Sequence, residues 1–287
     1  MKTTSACVSG IGILLSLGSP VYAQETSDLP LPRLIRITDD VYTIENANPT
    51  VDELRAHGGN VTVYLTDEGV ILVDTKFEHM HDFVMEQVRT LTDLPIKLVI
   101  ATHNHADHSG GVARMQAHGA TAIVSAADRE HMTGESSPPY VAYSGDLQVF
   151  VGGKEVQLRE LRGHTRGDTV AYLPAARVVA AGDLVTTVDA IPTLVNYGDG
   201  GTWSDLGRSL DEIAEMEFDY LVGGHGPMLT KREFLELRDK LAGVRERFRE
   251  LNTDGATQEE IAAALMAEFN WGGPATRNIP GMMQELR

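Results

Sequence analysis

The segment at residues 102–111, THNHADHSGG, restricts what this chain can fold into more than any other part of the sequence. Four side chains that commonly bind metals fall within six residues of it: His103, His105, Asp107 and His108. The segment directly follows the apolar run at residues 96–101, which is short, rich in β-branched residues and preceded by Pro95. Such a run predicts a buried strand. The cluster thus lies on a loop that leaves a strand, where side chains can converge without breaking the pairing of a sheet.

The types and spacing of these side chains indicate a metal site. Neutral imidazole and carboxylate are preferred ligands of zinc and similar divalent ions. His103 and His105 alternate, so both project to the same side of an extended segment. Asp107 and His108 follow where the chain is expected to turn at Gly110. A single histidine on a polar loop would be ordinary, but this cluster favours metal binding, and two pairs of ligands suggest two adjacent ions.

Three further candidate ligands occur in the second half of the chain, each next to a glycine: His164, Asp183 and His225. Asp183 follows the apolar run at residues 178–180, and His225 follows another at residues 220–222. These positions lie at or just past the ends of predicted strands, as the first cluster does. Side chains at strand ends of a layered α/β protein can meet at one rim, whatever their separation in sequence.

The pattern His103-x-His105-x-Asp107-His108 resembles the signature of the metallo-β-lactamase fold superfamily. The order and spacing of the three later candidates are similar to those of the same superfamily, and the resemblance extends from about residue 34 to residue 228.

The resemblance implies two zinc ions per chain. One ion is held by three histidines: His103, His105 and His164. The other ion is held by two histidines and a carboxylate: Asp107, His108 and His225. Asp183 bridges both ions, as in the glyoxalase II enzymes, and Asp107 is also the expected catalytic carboxylate.

The order of apolar runs and amphipathic segments indicates only a mixed α/β chain without internal repeats. The resemblance supplies the architecture, an α/β, four-layer αβ/βα sandwich in which two β-sheets lie face to face with helices outside. We assign the catalytic domain to residues 24–228. A C-terminal helical extension, packed on the same domain, is assigned to residues 229–287. Within it, the segment from Trp271 onward is expected to be a loosely packed tail.

Other segments give weaker expectations. Residues 46–60 contain Pro49 and two glycines and are predicted to form a loop. His79 and His81 have no partner motif and are expected at the surface. Asp74 ends a predicted strand, where two interpretations stay open: a cap of the strand end, or a carboxylate that supports the metal loop from behind, as in the resembling family.

The first 23 residues are typical of a signal peptide, with Lys2 before an apolar core and a cleavage pattern that ends at Ala23. The apolar core is too short to span a bilayer. We therefore expect a periplasmic or secreted protein without a stable membrane anchor. Cleavage removes Cys7, the only cysteine, and leaves histidine and carboxylate as the available metal ligands. The formal net charge of −17 argues against nucleic acid as a partner. The oligomeric state stays open.

The expected function is that of an exported binuclear zinc hydrolase. Two metals about 3.5–4 Å apart can polarise a carbonyl oxygen and hold a bridging hydroxide that attacks it. No serine or cysteine nucleophile is then needed. The substrate is expected to be a small molecule with an ester, lactone, thioester or cyclic amide. Pro192 to Tyr197 and Trp203 are candidate walls of its pocket.

Three alternatives remain from the sequence. The first is a periplasmic metallo-β-lactamase, although such enzymes generally carry Cys or Ser where Asp183 stands, and some have Lys where this chain has Thr186. The second is an oxidoreductase similar to the persulfide dioxygenases, with a single iron. The third is a metal-binding protein without catalytic activity. A glyoxalase II proper is less favoured because its distinctive C-terminal segment is not found here.

Overall fold

Two mixed β-sheets carry the fold of this protein, which was analysed as a computed structural model. The structure describes residues 29–286 apart from residues 47, 133–138, 140 and 189–190. The predicted signal peptide at residues 1–23 lies outside the described residues. Everything below concerns the unit that begins at Leu31.

The first sheet contains seven strands in sequential order, and its strands are Arg33–Arg36 (β1), Val41–Glu45 (β2), Val61–Thr66 (β3), Gly69–Val73 (β4), Ile96–Ile100 (β5), Thr121–Ser125 (β6) and Val141–Tyr143 (β7). Strands β1 to β4 pair antiparallel, whereas β4 to β7 pair parallel. Every residue of β4 is buried, as expected for a strand that is covered on both faces.

The second sheet is formed by the later strands, which are Asp146–Val151 (β8), Lys154–Glu160 (β9), Thr169–Leu173 (β10), Val178–Val188 (β11), Ile191–Pro192 (β12), Tyr220–His225 (β13) and Leu229–Thr230 (β14). Its order is β14-β13-β11-β10-β9-β8, with β12 paired to β11. The β11–β13 pair is parallel, so the carboxyl-terminal parts of these strands reach the same edge.

The helices lie outside the two sheets, and they are Val51–His57 (α1), His81–Arg89 (α2), Ala106–Ser109 (α3), Val112–Ala117 (α4), Ala126–Arg129 (α5), Trp203–Glu215 (α6), Lys231–Thr253 (α7), Gln258–Phe269 (α8) and Ile279–Glu285 (α9). Within the described residues there are also three short 3-10 turns, Glu78–Met80, Tyr197–Asp199 and Gly273–Asn278. None of the helices in the described part of the chain combines the length and apolar character that a membrane crossing requires.

Three layers of apolar side chains separate four layers of backbone. One layer lies between the sheets, where residues of β4 and β5 meet residues of β9 and β11. A second joins the outer face of the first sheet to α2 and α4. The third joins the outer face of the second sheet to α6, α7, α8 and α9. The predicted four-layer sandwich is therefore confirmed.

The segment at residues 46–60 contains a helix, so the prediction of a plain loop was wrong. Thr50 and Glu53 form a capping box at the start of α1, in which each side chain accepts the other residue's backbone N–H. This exchange satisfies donors that a helix start leaves unpaired. The helix then buries Leu54 against the core.

Of the two histidines expected at the surface, His79 is exposed as predicted, whereas His81 is fully buried at the start of α2. His79 lies in the 3-10 turn before α2, with Nε2 2.7 Å from the carbonyl oxygen of Ala56. The His81 ring packs against that of His118 at the end of α4, with ring centroids 5.2 Å apart, a contact that sequence periodicity did not reveal.

The segment from Trp271 onward is also packed more tightly than predicted. Trp271 is 2% exposed, and its ring meets that of Trp203 edge to face, with centroids 5.7 Å apart. Ile279 and Met282 of α9 are buried in the same apolar layer. The C-terminal residues thus complete the outer core of the second sheet. The domain boundary at residue 228 stays a prediction.

Candidate metal centre

All seven predicted ligands converge at one edge of the two sheets, where they form two groups. Within each group, the candidate donor atoms all lie within 4.8 Å of one another. The first group contains His103, His105, His164 and Asp183, and the second contains Asp107, His108 and His225. His103 and His105 follow β5, and His108 lies in α3. The rim expected from strand ends therefore exists, and it draws on both sheets.

Asp183 stands between the groups and directs one oxygen to each. Its Oδ2 lies 3.5 Å from Nε2 of His164 in the first group. Its Oδ1 lies 3.2 Å from Nε2 of His108 and 3.5 Å from Nε2 of His225 in the second. This is the arrangement that a carboxylate bridging two ions requires.

The spacing of the donors fits zinc. Ligand atoms about 2.1 Å from a tetrahedral ion lie roughly 3.4 Å apart. In the first group, Nδ1 of His105 is 3.1 Å from Nε2 of both His103 and His164. In the second, Nε2 of His225 is 3.3 Å from Nε2 of His108 and from Oδ2 of Asp107.

Asp183 supplies a further observation in favour of a cation. Its Oδ1 is buried and has no hydrogen bond to any residue that the structure describes. Buried polar atoms are nearly always satisfied by hydrogen bonds, waters or ions. A cation held between Asp183 and the two neighbouring histidines would satisfy this oxygen, so the residues present fit a metal.

In four of the candidate ligand histidines, the ring nitrogen that faces away from the other ligands lies within hydrogen-bond distance of an oxygen atom. Nδ1 of His103 lies 3.1 Å from Oγ1 of Thr102, and Nδ1 of His164 lies 2.8 Å from the carbonyl oxygen of Leu194. The other two histidines are described below. An acceptor at one nitrogen keeps the proton there and leaves the lone pair of the other nitrogen free for a metal.

Asp74 does more than cap the end of its strand, because it also holds the loop that carries His103 to His108. Its Oδ2 accepts a hydrogen bond from Nδ1 of His108 at 2.8 Å and another from the Thr102 hydroxyl at 2.8 Å. Its Oδ1 accepts the backbone N–H of Thr102 at 2.7 Å. Of the two interpretations left open by the sequence, these contacts favour the carboxylate that orients the ligand histidine.

Asp199 and Asn196 play a similar part at His105; the sequence reasoning missed Asp199 and placed Asn196 only within the predicted pocket wall. Oδ2 of Asp199 lies 2.9 Å from Nε2 of His105 and 2.6 Å from Nδ2 of Asn196. Both residues belong to the loop after β12, where Asn, Gly and Asp read as an ordinary turn. Nothing in the sequence distinguishes this loop, which contacts a candidate ligand, from an ordinary loop that only connects two secondary-structure elements.

Glycines allow the close approach of the ligands. A Cβ atom on Gly224 would lie 1.9 Å from Oδ1 of Asp183, and one on Gly59 would lie 2.2 Å from the His108 ring. Gly182 has φ of +52°, and the pairing of β11 with β13 is irregular on both sides of it. Asp183 therefore lies inside β11, at an irregularity, and not at a strand end as predicted.

Two buried carboxylates, Asp128 and Asp168, connect the loop that carries His103 and His105 to the loop that carries His164. The Thr165 hydroxyl lies 2.9 Å from Oδ2 of Asp128 and 2.7 Å from Oδ1 of Asp168. Asp128 also accepts the N–H of Asn104 at 3.2 Å. Burial raises the pKa of Asp128 to about 6 and that of Asp168 to about 7. Since one hydroxyl has a single proton, one carboxyl of this pair must carry a proton of its own.

Lys76 is another buried charge that sequence reasoning did not single out. It is 1% exposed, and its Nζ donates to the carbonyl oxygen of Gly59, the residue that packs against the His108 ring. Burial lowers the pKa of Lys76 to about 7, although Asp107 and Asp74 act in the opposite direction. Lys76 thus fixes the backbone behind the second group.

Burial and neighbouring charges shift the pKa values of the candidate ligands in different directions. Burial, together with neighbouring histidines, holds the pKa of His103 well below its usual range. Burial also disfavours charge on His108, yet Asp183 and Asp107 raise its pKa well above the usual range. Burial opposes ionisation of Asp107 as well, but His108 and His225 lower its pKa to about 2. The carboxylates are thus ionised and ready to bind a cation.

A cavity of about 310 Å³ opens onto the first group, and its lining residues are His105, His164, Asp183, Thr186, Pro192, Leu194, Val195, Asn196 and Arg277. A second, of about 340 Å³, shares Thr186 and Pro192 with it and extends to Trp271. Most of the predicted wall from Pro192 to Tyr197 is thus in place. Trp203 lies in the core instead, so its assignment as a wall was wrong.

The chain is similar to proteins of known function. The model of the metallo-beta-lactamase superfamily matches residues 54–225. A hydroxyacylglutathione hydrolase of Dechloromonas aromatica (strain RCB) is 35% identical over 133 residues, which are 45% of this chain and 44% of that protein. This chain therefore spans less than half the length of that relative.

Two further similarities extend over more of the chain. A type 2 metallo-beta-lactamase of Bacillus cereus is 27% identical over 267 residues, which are 84% of this chain and 100% of that protein. The solved structure of a metallo-beta-lactamase from Pontibacter korlensis superposes with a TM-score of 0.63 at 19% identity, covering 74% of this chain and 99% of the other. At that identity the superposition supports the fold alone.

Proposed function

The chain belongs to the metallo-beta-lactamase superfamily and is a metal-dependent hydrolase, and from this premise we propose that it uses two zinc ions to cleave a small ester, lactone, thioester or cyclic amide. The observation that carries the proposal is the position of Asp183, whose two carboxylate oxygens face the two ligand groups separately. A site for one ion would not need a carboxylate between two sets of histidines.

The ligand assignment follows from the same distances. His103, His105 and His164 would hold one ion, Asp107, His108 and His225 the other, and Asp183 would bind both. The chemistry that the ions supply when bound is polarisation of a carbonyl and a lowered pKa of water.

The chain's own residues would orient the reactants and move a proton. Asp107 has 27% of its side chain exposed and is ionised, with a pKa of about 2. It is therefore accessible as a hydrogen-bond acceptor for the attacking water, and it would hold that water's proton only transiently, because a carboxyl of so low a pKa readily passes the proton to the leaving group. Asp74 and Asp199 hold His108 and His105 in place, so the site need not reorganise during the reaction.

The cavity supports a small substrate with an apolar part. Leu194, Val195 and Pro192 contribute apolar side chains to its lining, and its volume of about 310 Å³ accommodates a molecule of metabolite size. Metal analysis of the purified protein, followed by a panel of lactone, thioester, ester and β-lactam substrates, tests the proposal. Full activity after chelation, or in a His105→Ala variant, would rule it out.

The second candidate is a metallo-β-lactamase. It is favoured by the similarity to the Bacillus cereus enzyme over that enzyme's whole length. The bridging Asp183 speaks against it, because added negative charge between the ions makes them weaker Lewis acids. Hydrolysis of a β-lactam at the rate of the best ester would reverse the order of the two candidates.

We also propose that the protein works outside the cytoplasm, after cleavage behind Ala23. The support is the sequence of the first 23 residues, with a basic start, a short apolar core and a small-residue cleavage site. Mass spectrometry of the periplasmic fraction decides this point. An intact Met1 in a cytoplasmic fraction would contradict it.

A further inference from the structure

Arg277 lies at the opening of the candidate metal centre. It belongs to the 3-10 turn Gly273–Asn278, far along the chain from the ligands. It lines the cavity that exposes His105 and Asp183. It also lines a neighbouring cavity of about 320 Å³ on the side of Asp107. One guanidinium therefore borders the approach to both ligand groups.

The guanidinium has no partner within the described part of the chain. No hydrogen bond or ion pair links Arg277 to a described residue, and its side chain is exposed to the cavities. Arg177, by contrast, pairs with Asp219 at 3.0 Å. Among the described residues that line the first cavity, Arg277 is the only arginine or lysine.

The backbone beneath Arg277 is held firmly. The neighbouring Asn278 is buried, and its side chain accepts the N–H of Val195 at 2.9 Å and donates to the carbonyl oxygen of Val195 at 2.8 Å. It also accepts Nε1–H of Trp203 at 3.1 Å. Arg277 is thus anchored to the cavity wall, and only its side chain must be ordered when a ligand binds.

We infer that Arg277 binds a carboxylate of the substrate, so that the natural substrate of the proposed hydrolase is an anion. This inference rests on the function proposed above. A guanidinium presents parallel N–H donors that match both oxygens of a carboxylate. The chain carries a formal net charge of −17, so a carboxylate-bearing substrate gains from a cation at the entrance of the site.

Matched substrates test the inference. The acetate esters of 3- and 4-hydroxybenzoate carry a carboxylate, and those of the corresponding hydroxybenzamides do not. Replacing Arg277 by Gln is expected to raise the KM of the carboxylate esters roughly tenfold to a hundredfold, the range of a hydrogen bond to a charged group. The kcat of these esters and the KM of the amide-bearing esters should change less than about threefold, and Arg277→Lys should retain part of the preference.

Arg55 offers a matched control. It lines only the neighbouring cavity, is 78% exposed and pairs with Asp52 at 3.8 Å. Arg55→Gln should leave both classes of ester unchanged. Equal losses on charged and neutral esters in Arg277→Gln, or no loss on either, would overturn the inference.

Binding separates this inference from the proposed function. Calorimetry of the zinc-loaded protein with N-acetylglycine and with N-acetylglycinamide needs no turnover. Tighter binding of the acid that disappears in Arg277→Gln would support the carboxylate site even if no ester were cleaved, in which case the hydrolase proposal alone would fail. Equal binding of acid and amide to the unaltered protein would refute the site while leaving hydrolysis untouched.

Discussion

Asp74 accepts the ring N–H of His108 at 2.8 Å although the two residues are 34 positions apart in the chain. The same carboxylate accepts the N–H and the hydroxyl of Thr102 at the start of the first ligand loop. One buried group therefore sets the direction of the His108 ring and the path of the loop that carries three other candidate ligands, His103, His105 and Asp107.

Replacing Asp74 by Ala should weaken binding of the second ion more than that of the first. Loss of a carboxylate behind a ligand histidine typically costs about tenfold to a hundredfold in metal affinity. Competition with a chromophoric chelator measures both affinities, and circular dichroism verifies that the fold persists. Equal weakening of both ions would mean that Asp74 acts on the fold and not on His108.

Asp183→Asn keeps the shape of the side chain and removes its charge. If Asp183 binds both ions, zinc content should fall from two to about one per chain and turnover by roughly two to four orders of magnitude. Elemental analysis and ester kinetics measure the two effects. A variant with two ions and normal turnover would show that Asp183 serves only the irregular part of β11.

Asp183→Cys separates the two candidate functions. The variant gains the residue that many β-lactamases carry at this position and loses the carboxylate between the ions. We expect ester and lactone turnover to fall while β-lactam turnover is kept or increased, which parallel kinetics on both classes will measure. Equal loss on all substrates would show that Asp183 does not influence selectivity.

The Asp128–Thr165–Asp168 brace predicts a dependence of stability on pH. The pKa of Asp168 is raised by burial to about 7 from the ordinary aspartate value of 3.8. A raised carboxyl pKa stabilises the fold fully below the unfolded value, and this contribution is lost as pH rises through the folded value. Between about pH 4 and pH 8, metal-free protein should therefore lose on the order of 2–4 kcal/mol through this group.

Asp168→Asn tests that dependence because its amide replaces the protonated carboxyl and can still donate to Thr165. Its stability, measured by urea unfolding with chelator at each pH, should fall less towards pH 8 than that of the unaltered protein. Asp93→Asn, at an exposed site, serves as the control and should follow the unaltered protein. Parallel curves for all three proteins would contradict the shared proton.

Trp271→Ala should destabilise the protein by about 3–5 kcal/mol, the usual cost of removing a large buried side chain. Trp271 packs against Trp203 in the outer core of the second sheet. Phe150→Ala, at a residue that is 67% exposed, should change stability by less than about 0.5 kcal/mol. Thermal and denaturant unfolding measure both, and a small effect of Trp271→Ala would restore the view of a loose tail.

The candidate ligands could be picked out from the sequence because metal chemistry restricts ligands to few residue types at characteristic places. His103 and His105 follow a clear apolar strand, and the sequence therefore indicated both their identity and their convergence. The capping box at Thr50 and Glu53 was equally legible, although the prediction for residues 46–60 overlooked it.

The support of the site could not be predicted in the same way. The contact of Asp199 with His105 spans 94 positions and depends on the path of an irregular loop. Arg277 reaches the site only because Asn278 docks on Val195, 83 positions earlier. Local patterns carry no information about such pairings, since each residue alone is typical of a turn or of the surface.

The hydrogen bonds among Asp128, Thr165 and Asp168 also connect two parts of the chain that are distant in sequence and belong to different sheets. Asp128 lies in α5, which follows β6 of the first sheet, whereas Thr165 and Asp168 precede β10 of the second. In addition, the N–H of Thr169 donates to the carbonyl oxygen of Thr102 at 2.6 Å. Neither half can open at this edge without breaking the hydrogen bonds of the other. Amide protons of both loops should consequently exchange with solvent at a common rate, as members of one cooperative unit.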